Sequence, residues 1–324
     1  MWFLLIGRKK FRGKNMLIEI VLNQMAFLFL LIAIGYVLAK LKLVPEGTEG
    51  ILSKLESYVF IPALVMGTFM NNFTVDRLAS AKTVLIGSII VLAAVIPLSV
   101  LITHLVSKDR YIRHIYLYGL TFSNFSFMGN AIVSAIFPDI FLEYLLFTMV
   151  LWIAIYVWGI PSLLLGTTDQ KHGIKSRLKN FVNPMIIAMF IGMIIGLLGV
   201  KLPSFANNLV VSLGDCMSPV AMLLTGITLA RKSIKSLLKI KSVYLITFVR
   251  LIAYPLLFIG VTKFINLPET LVICILSSLA MPLGLNTIVI PAAYGKDTTT
   301  ASSMALISHL LSCLTIPLMF LFIN

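Results

Sequence analysis

Apolar residues fill long runs of this chain, and polar residues are confined to short stretches between them. Because backbone groups in lipid must be satisfied within their own segment, and no strand-length alternation typical of a membrane β-barrel is present, we expect each run to be a helix. The pattern predicts an all-α integral membrane protein. Runs long enough to cross about 30 Å of hydrocarbon, numbered as predicted helices 1 to 10, lie at approximately residues 17–39, 51–70, 83–103, 115–136, 142–166, 181–200, 208–230, 243–264, 270–294 and 301–323.

Composition and charge place the chain in a membrane and give it an orientation. Of 324 residues, 59% are hydrophobic and 12% are charged, whereas soluble domains carry about 25% charged residues; a soluble enzyme is excluded. The loops after predicted helices 1, 3, 5, 7 and 9 carry sixteen lysines and arginines, against four in the other loops. The positive-inside rule therefore predicts a plasma-membrane protein with both termini outside, and the net charge of +14 does not indicate nucleic acid.

The basic segment at residues 1–16 conflicts with this orientation, since it would favour the cytoplasm. We favour translation starting naturally at Met16, and the alternative is a short extension that is translocated. The remaining organisation is a first five-helix unit at 17–166, a cytoplasmic linker at 167–180 and a second unit at 181–324.

Prolines and asparagines recur at nearly one spacing and indicate an internal repeat. The residue pairs are Pro62 and Pro219, Pro97 and Pro255, Asn130 and Asn286, and Pro161 and Pro317, at offsets of 156 to 158. Because each unit has an odd number of helices, the second unit must enter the membrane from the side opposite to the first. Inverted repeats of this kind are the architecture of secondary transporters, and a duplicated protein that does not transport is the alternative.

Two clusters of polar residues, prolines and glycines interrupt predicted helices 4 and 9. Proline removes an amide donor and glycine weakens a helix, so both helices are expected to be broken at equivalent places. Opposed half-helix N-termini would offer amide donors to an anion, whereas interhelical packing is the simpler role for any single residue. The predicted substrate-binding residues are Asn124, Ser126, Gly129, Asn130, Asn286, Thr287 and Pro291.

Ionisable residues within the spans are candidates for ion coupling. Asp215 suggests proton or sodium coupling, or it reaches outer water. Arg250 could attract a carboxylate, or its side chain extends to the interface. His309 is a proton relay or a packing residue, and Glu56 is expected at the membrane interface.

At these positions the chain resembles the auxin efflux carrier family, the PIN-like permeases of the bile acid/sodium symporter superfamily. The resemblance rests on Asn124 with Met128-Gly129, on Pro291 with Ala-Ala-Tyr-Gly-Lys-Asp, and on Ser308 to Pro317. It implies ten helices in two inverted repeats, with helices 4 and 9 crossing at breaks beside an organic-anion site, and carboxylates of the malate type as substrates. Ala131 stands where the family commonly has proline, which predicts a softer break resting on Gly129 and Asn130.

The leading hypothesis is a secondary carrier for a small organic anion, working by alternating access. The alternative is a membrane sensor that binds a metabolite or lipid in the same pocket without moving it. No P-loop, zinc-protease or serine-hydrolase motif is present, so we expect no enzyme, no metal and no cofactor beyond coupling to H⁺ or Na⁺. The expected partners are the substrate and the bilayer, and the sequence is compatible with a homodimer.

Overall fold

The computed structural model describes residues 14–74, 78–165, 184–231, 233–293 and 296–322. The predicted linker at 167–180, most of the basic segment at 1–16 and the C-terminal residue Asn324 lie outside these residues.

Helices account for all the regular structure in the described residues, and a single isolated β-bridge is the only strand-like pairing there. Seven helices are long and apolar enough to cross a membrane, and three shorter apolar ones coincide with predicted helices 4, 6 and 9. The chain is therefore an all-α protein suited to a bilayer. Its helices are α1 (Lys14–Lys40), α2 (Thr48–Asn72), α3 (Leu78–Val106), α4a (Arg110–Thr121), α4b (Phe125–Ile136), α5 (Pro138–Leu164), α6 (Pro184–Leu198), α7 (Ser204–Ala230), a short helix (Ile234–Leu237), α8 (Lys241–Thr262), α9a (Glu269–Ala280), α9b (Asn286–Ala293) and α10 (Thr299–Phe320).

Prolines set the local distortions of these helices. Proline has no N–H to donate to the carbonyl four residues earlier, so the preceding turn widens. A π-helical turn at Glu56–Phe60 precedes Pro62 in α2, and another at Val249–Ala253 precedes Pro255 in α8. Each widened turn lies within its helix and does not interrupt it.

Helices α1, α2, α6 and α7 form one group, which we call the panel. α1 packs along α7, and α2 packs along α6 and α7. Glycines allow the backbones to approach: a Cβ on Gly226 would lie 2.7 Å from the amide nitrogen of Tyr36, and one on Gly192 would lie 2.7 Å from the carbonyl oxygen of Met66. These approaches join the panel by backbone contact.

The other helices form a second group, which we call the core bundle. Within it, α3 packs against α5 and α4a, while α8 packs against α10 and α9a. α10 is its most enclosed span, since 72% of its apolar window is buried. The interrupted helices α4 and α9 meet inside this bundle.

Candidate functional site

The breaks in α4 and α9 cross each other directly. α4a ends at Thr121 and α4b begins at Phe125, while α9a ends at Ala280 and α9b begins at Asn286. The amide of Asn124 donates to the carbonyl of Pro282 at 2.7 Å, and Ser123 pairs with Leu283 as an antiparallel bridge. A β-like contact between two unwound segments therefore satisfies backbone groups that the helices leave free.

Glycine makes this crossing close. A Cβ on Gly284 would lie 2.9 Å from the carbonyl oxygen of Phe122 and 3.1 Å from that of Ser123. Any side chain at this position would push the two segments apart.

The positions of the breaks differ from those expected. Gly129 and Asn130 lie within α4b, and Pro291 lies inside α9b. The α9 break begins at Pro282, which cannot donate to the carbonyl of Ser278 as a continuing helix would. That carbonyl instead accepts from the hydroxyl of Ser123 at 2.8 Å and from Arg250 at 2.6 Å. Tertiary partners thus replace the missing helical bond, and they fix the break at Pro282, nine residues before Pro291.

Arg250 joins the ends of both first half-helices. Its guanidinium donates to the carbonyl of Leu120 in α4a at 2.8 Å, and to those of Ser278 and Met281 at the end of α9a at 2.6 and 3.4 Å. The side chain is 1% exposed, so it does not extend to the interface. It neutralises the two carbonyl ends, where the helix dipoles are negative.

Three of the predicted binding residues line one small polar cavity at the crossing. Asn124, Ser126 and Asn286 share its wall with Ser123 and Tyr118. Its volume of about 10 Å³ gives room for about one water molecule. The amide of Asn286 donates to the Tyr118 hydroxyl at 3.1 Å, so a tyrosine that the sequence analysis did not select holds one of the predicted ligands.

The other predicted binding residues have different surroundings. The Thr287 hydroxyl donates to the carbonyl of Gly284 at 2.8 Å, so it is engaged with the backbone at the start of α9b. Gly129 packs beneath the hydroxyl of Tyr144. Asn130 is buried and its Oδ1 has no partner. None of these three residues, nor Pro291, lines the cavity.

Helix α10 supports both breaks, which the sequence analysis did not predict. Nε2 of His309 lies 3.0 Å from Nδ2 of Asn124, and the Ser308 hydroxyl accepts from the amide of Leu283 at 3.2 Å. Both side chains are buried. An ionisable residue in an apolar span was the available signal for His309, but its partner is 185 residues away.

A wider cavity of about 280 Å³ lies between the panel and the core bundle. The panel contributes α2, α6 and α7, and the core bundle contributes α5 and the residues that follow each break. Phe127, Leu285 and Asn286 line both this cavity and the small one. These three residues therefore lie between the small polar cavity and the larger space.

Asp215 and Glu56, the two carboxylates singled out from the sequence, do not line the small cavity at the crossing. Asp215 is exposed at the bend of α7, which leaves its coupling role without support from its surroundings. Glu56 is buried and neither carboxylate oxygen has a partner, contrary to the interfacial position expected. Within the described residues, no three His, Cys, Asp or Glu side chains are grouped so that they could hold a metal ion.

Comparison with known families places most of the chain in one of them. The sequence profile of a family described as "membrane transport protein" matches residues 20–320, and it is the family that the sequence resembles. A comparison with curated proteins found no match.

Proposed function

The chain belongs to the membrane transport protein family, and from that premise we propose that it is a secondary transporter of a small organic anion, most simply a carboxylate. The observation that carries this proposal is the crossing itself, in which two interrupted helices place Asn124 and Asn286 on one buried polar cavity. Paired broken helices at corresponding positions are typical of transporter binding sites.

The electrostatics of the crossing favour an anion. The N-termini of α4b and α9b lie at the breaks, and helix N-termini carry partial positive charge. Arg250 occupies the opposing carbonyl ends, and no carboxylate pairs with it in the part of the chain that the structure describes. Its positive charge is therefore available to stabilise an anion in this low-dielectric interior.

The arrangement of helices supports inverted repeats and alternating access. If the halves are related by a twofold axis, α1 corresponds to α6 and α2 to α7. The α1–α7 contact then corresponds to the α6–α2 contact, and both are present. A cavity opens on one side of the crossing, between panel and core bundle, which is the space that relative movement of two bundles would open and close.

The distribution of basic residues indicates which side of the membrane the wider cavity faces. The wider cavity reaches Ser53 and Ser57 near the start of α2, which follows the basic loop assigned to the cytoplasm. We therefore assign the structure to an inward-facing state of a plasma-membrane protein with outer termini. Coupling to H⁺ or Na⁺ would supply the energy.

Counterflow separates a carrier from a sensor. Purified protein in liposomes preloaded with unlabelled malate should accumulate labelled malate, and a panel of other carboxylates defines the class. Protein-free liposomes and liposomes containing the Asn124→Ala variant are the controls. Binding without counterflow for every carboxylate tested would favour the sensor, and counterflow of cations alone would contradict the anion site.

A further inference from the structure

His309 has both ring nitrogens engaged, and the two contacts determine its tautomer. Nδ1 lies 2.7 Å from the carbonyl oxygen of Ala305, and Nε2 lies 3.0 Å from Nδ2 of Asn124. A carbonyl oxygen can only accept, so Nδ1 must carry a proton. In the neutral ring Nε2 then has none, and it accepts from the Asn124 amide. This leaves Oδ1 of Asn124 as the free atom, and it is buried without a partner.

A second proton on His309 would reverse the orientation of Asn124. Protonated Nε2 becomes a donor and faces the N–H group of the amide, so the contact is repulsive. Rotation of the Asn124 amide by half a turn lets Oδ1 accept from Nε2 and leaves the NH₂ group free. Because Asn124 lines the small cavity, the neutral state leaves an acceptor there, which repels a carboxylate. The protonated state leaves a donor, which binds one.

We propose that His309 is the proton-binding residue of the transport cycle, and that Asn124 converts its protonation into a carboxylate-binding state of the crossing. The inference rests on the proposed function, since it assigns the coupling ion to the same site. A proton reaches Nε2 from water, the amide rotates, and the anion then binds beside a positive imidazolium. By linkage, a bound anion must favour proton uptake to the same extent.

Other titratable groups on the helices packed against α10 are engaged elsewhere or lie away from its buried centre. Arg250 donates to backbone carbonyls, and Tyr254, Tyr116 and Tyr118 bond to Ser99, Ser242 and Asn286 respectively. Cys274 is buried within α9a. The remaining groups are exposed or half-buried: Glu19, Tyr36, Lys40, Arg110, Tyr111, Arg113, His114, Lys235, Lys241, Tyr244 and Glu269.

The functional test compares the pH dependence of malate affinity in matched histidine variants. His104 is the control, because its Nδ1 makes the same type of contact with a carbonyl four residues earlier, at 2.8 Å, on an exposed surface. Malate affinity of the wild type should rise as pH falls, up to about tenfold per pH unit for one linked proton. His309→Gln should abolish this dependence and His104→Gln should retain it.

Glu56→Gln tests a second buried group that could take up a proton. We expect this variant to keep the pH dependence of the wild type. An equal pH dependence in wild type and His309→Gln, or its loss in Glu56→Gln alone, would overturn the proposal.

A spectroscopic test needs no substrate and therefore does not depend on transport activity. The chain has four histidines, so ¹⁵N-histidine labelling of the wild type gives few ring signals, and the one missing in His309→Gln is assigned. We expect the Nδ1–H tautomer at neutral pH. In a second sample labelled with ¹⁵N-asparagine, where the signal missing in Asn124→Ala is assigned, the Asn124 side-chain amide should shift when the ring is protonated. An Nε2–H tautomer would refute the switch even if transport occurs. Absence of counterflow with the expected tautomer and amide shift would count against the proposed function while upholding the switch.

Discussion

Arg250 shows how one side chain can determine the geometry of the crossing. Its planar guanidinium reaches carbonyls on α4a and α9a at once, which a single ammonium cannot do. Arg250→Lys should therefore lose about two charge-assisted hydrogen bonds, worth about 3 kcal/mol together. We expect a clearly lower unfolding temperature for the purified protein in detergent.

Arg231→Lys is the matched control for this effect. Arg231 lies 3.7 Å from Glu49 at a partly exposed helix end, where an ion pair contributes about 0 to 1 kcal/mol. Equal unfolding temperatures for the two variants would mean that Arg250 does not hold the half-helices together.

The two cavity asparagines should contribute binding energy through their amides. A hydrogen bond to a charged group is worth about 1.5 to 3 kcal/mol, so Asn124→Ala and Asn286→Ala should each weaken malate binding by about 10- to 150-fold. Ser277→Ala is the control, since Ser277 is buried in α9a with a hydroxyl that has no partner. If both asparagine variants bind malate like the wild type, the anion site lies elsewhere.

Residue types within apolar spans predicted part of this site. Asn124, Ser126 and Asn286 were identifiable because amides and hydroxyls are uncommon in lipid-facing positions, and all three line the cavity. Thr287, Asn130 and Arg250 are equally polar, but Thr287 donates to a backbone carbonyl, Asn130 is buried outside the cavity, and Arg250 holds the ends of two half-helices. The sequence does not distinguish these roles, because they depend on partners contributed by other helices.

At the scale of elements, Pro282 is the residue that keeps α9 interrupted. Alanine there would regain an N–H directed at the carbonyl of Ser278, where Ser123 and Arg250 now donate. Because alanine favours a helix by about 3 kcal/mol relative to proline, Pro282→Ala should favour a continuous α9. We expect the counterflow rate to fall by about tenfold or more with a smaller change in malate affinity.

Pro291→Ala provides the comparison, because Pro291 lies inside α9b and outside the break. Its counterflow rate should stay closer to the wild type. A larger effect at Pro291 than at Pro282 would place the functional break at the position first expected from the sequence.

The contact between the two breaks depends on glycine. Gly284→Ala would force a Cβ against the carbonyl oxygens of Phe122 and Ser123, and overpacking of this kind costs about 1 to 3 kcal/mol. A Cβ added at Gly260 in α8 has no neighbouring atom within 4 Å, so Gly260→Ala should stabilise this helix by about 0.5 to 1 kcal/mol. Unfolding temperatures should therefore move in opposite directions, and a shared direction would contradict the close crossing.

Interruption of α4 and α9 was predictable, whereas the exact residues were not. Several prolines and glycines lower the helix propensity of each segment. Contacts from other helices then determine at which of these residues the helix is interrupted. In α9 the selection follows from Ser123 and Arg250, which occupy the carbonyl of Ser278. In α4, Gly129 stays helical while the chain opens at Phe122 to Asn124.

For the whole molecule, the inverted repeat depends on which side of the membrane each loop and terminus faces. Reporters fused after Lys241 and after Lys179, which lies outside the described residues, should indicate the cytoplasm, and one at Asn324 should indicate the outside. These outcomes follow from the concentration of basic residues in alternate loops. A cytoplasmic C-terminus would contradict two units of five helices each, and with them the inverted orientation of the second unit.

Accessibility of the wider cavity tests the assigned inward-facing state. Ser57 lines that cavity on the panel side, near the start of α2. In a background with Cys216, Cys274 and Cys313 replaced by serine, Ser57→Cys should react with a membrane-impermeant maleimide added from the cytoplasmic side. Saturating malate should slow labelling, because the anion sits at the crossing and shifts the population toward closed states.

Ser236→Cys is the control for this experiment, since Ser236 is exposed in the short helix Ile234–Leu237, in the loop assigned to the cytoplasm, and does not line the cavity. Its labelling should not respond to malate. Labelling of Ser57→Cys from the outer side alone would reverse the assigned state, and labelling that is insensitive to a malate concentration known to support counterflow would separate the cavity from the transport route. Protection confined to Ser57→Cys would instead mean that panel and core bundle move relative to each other around the crossing.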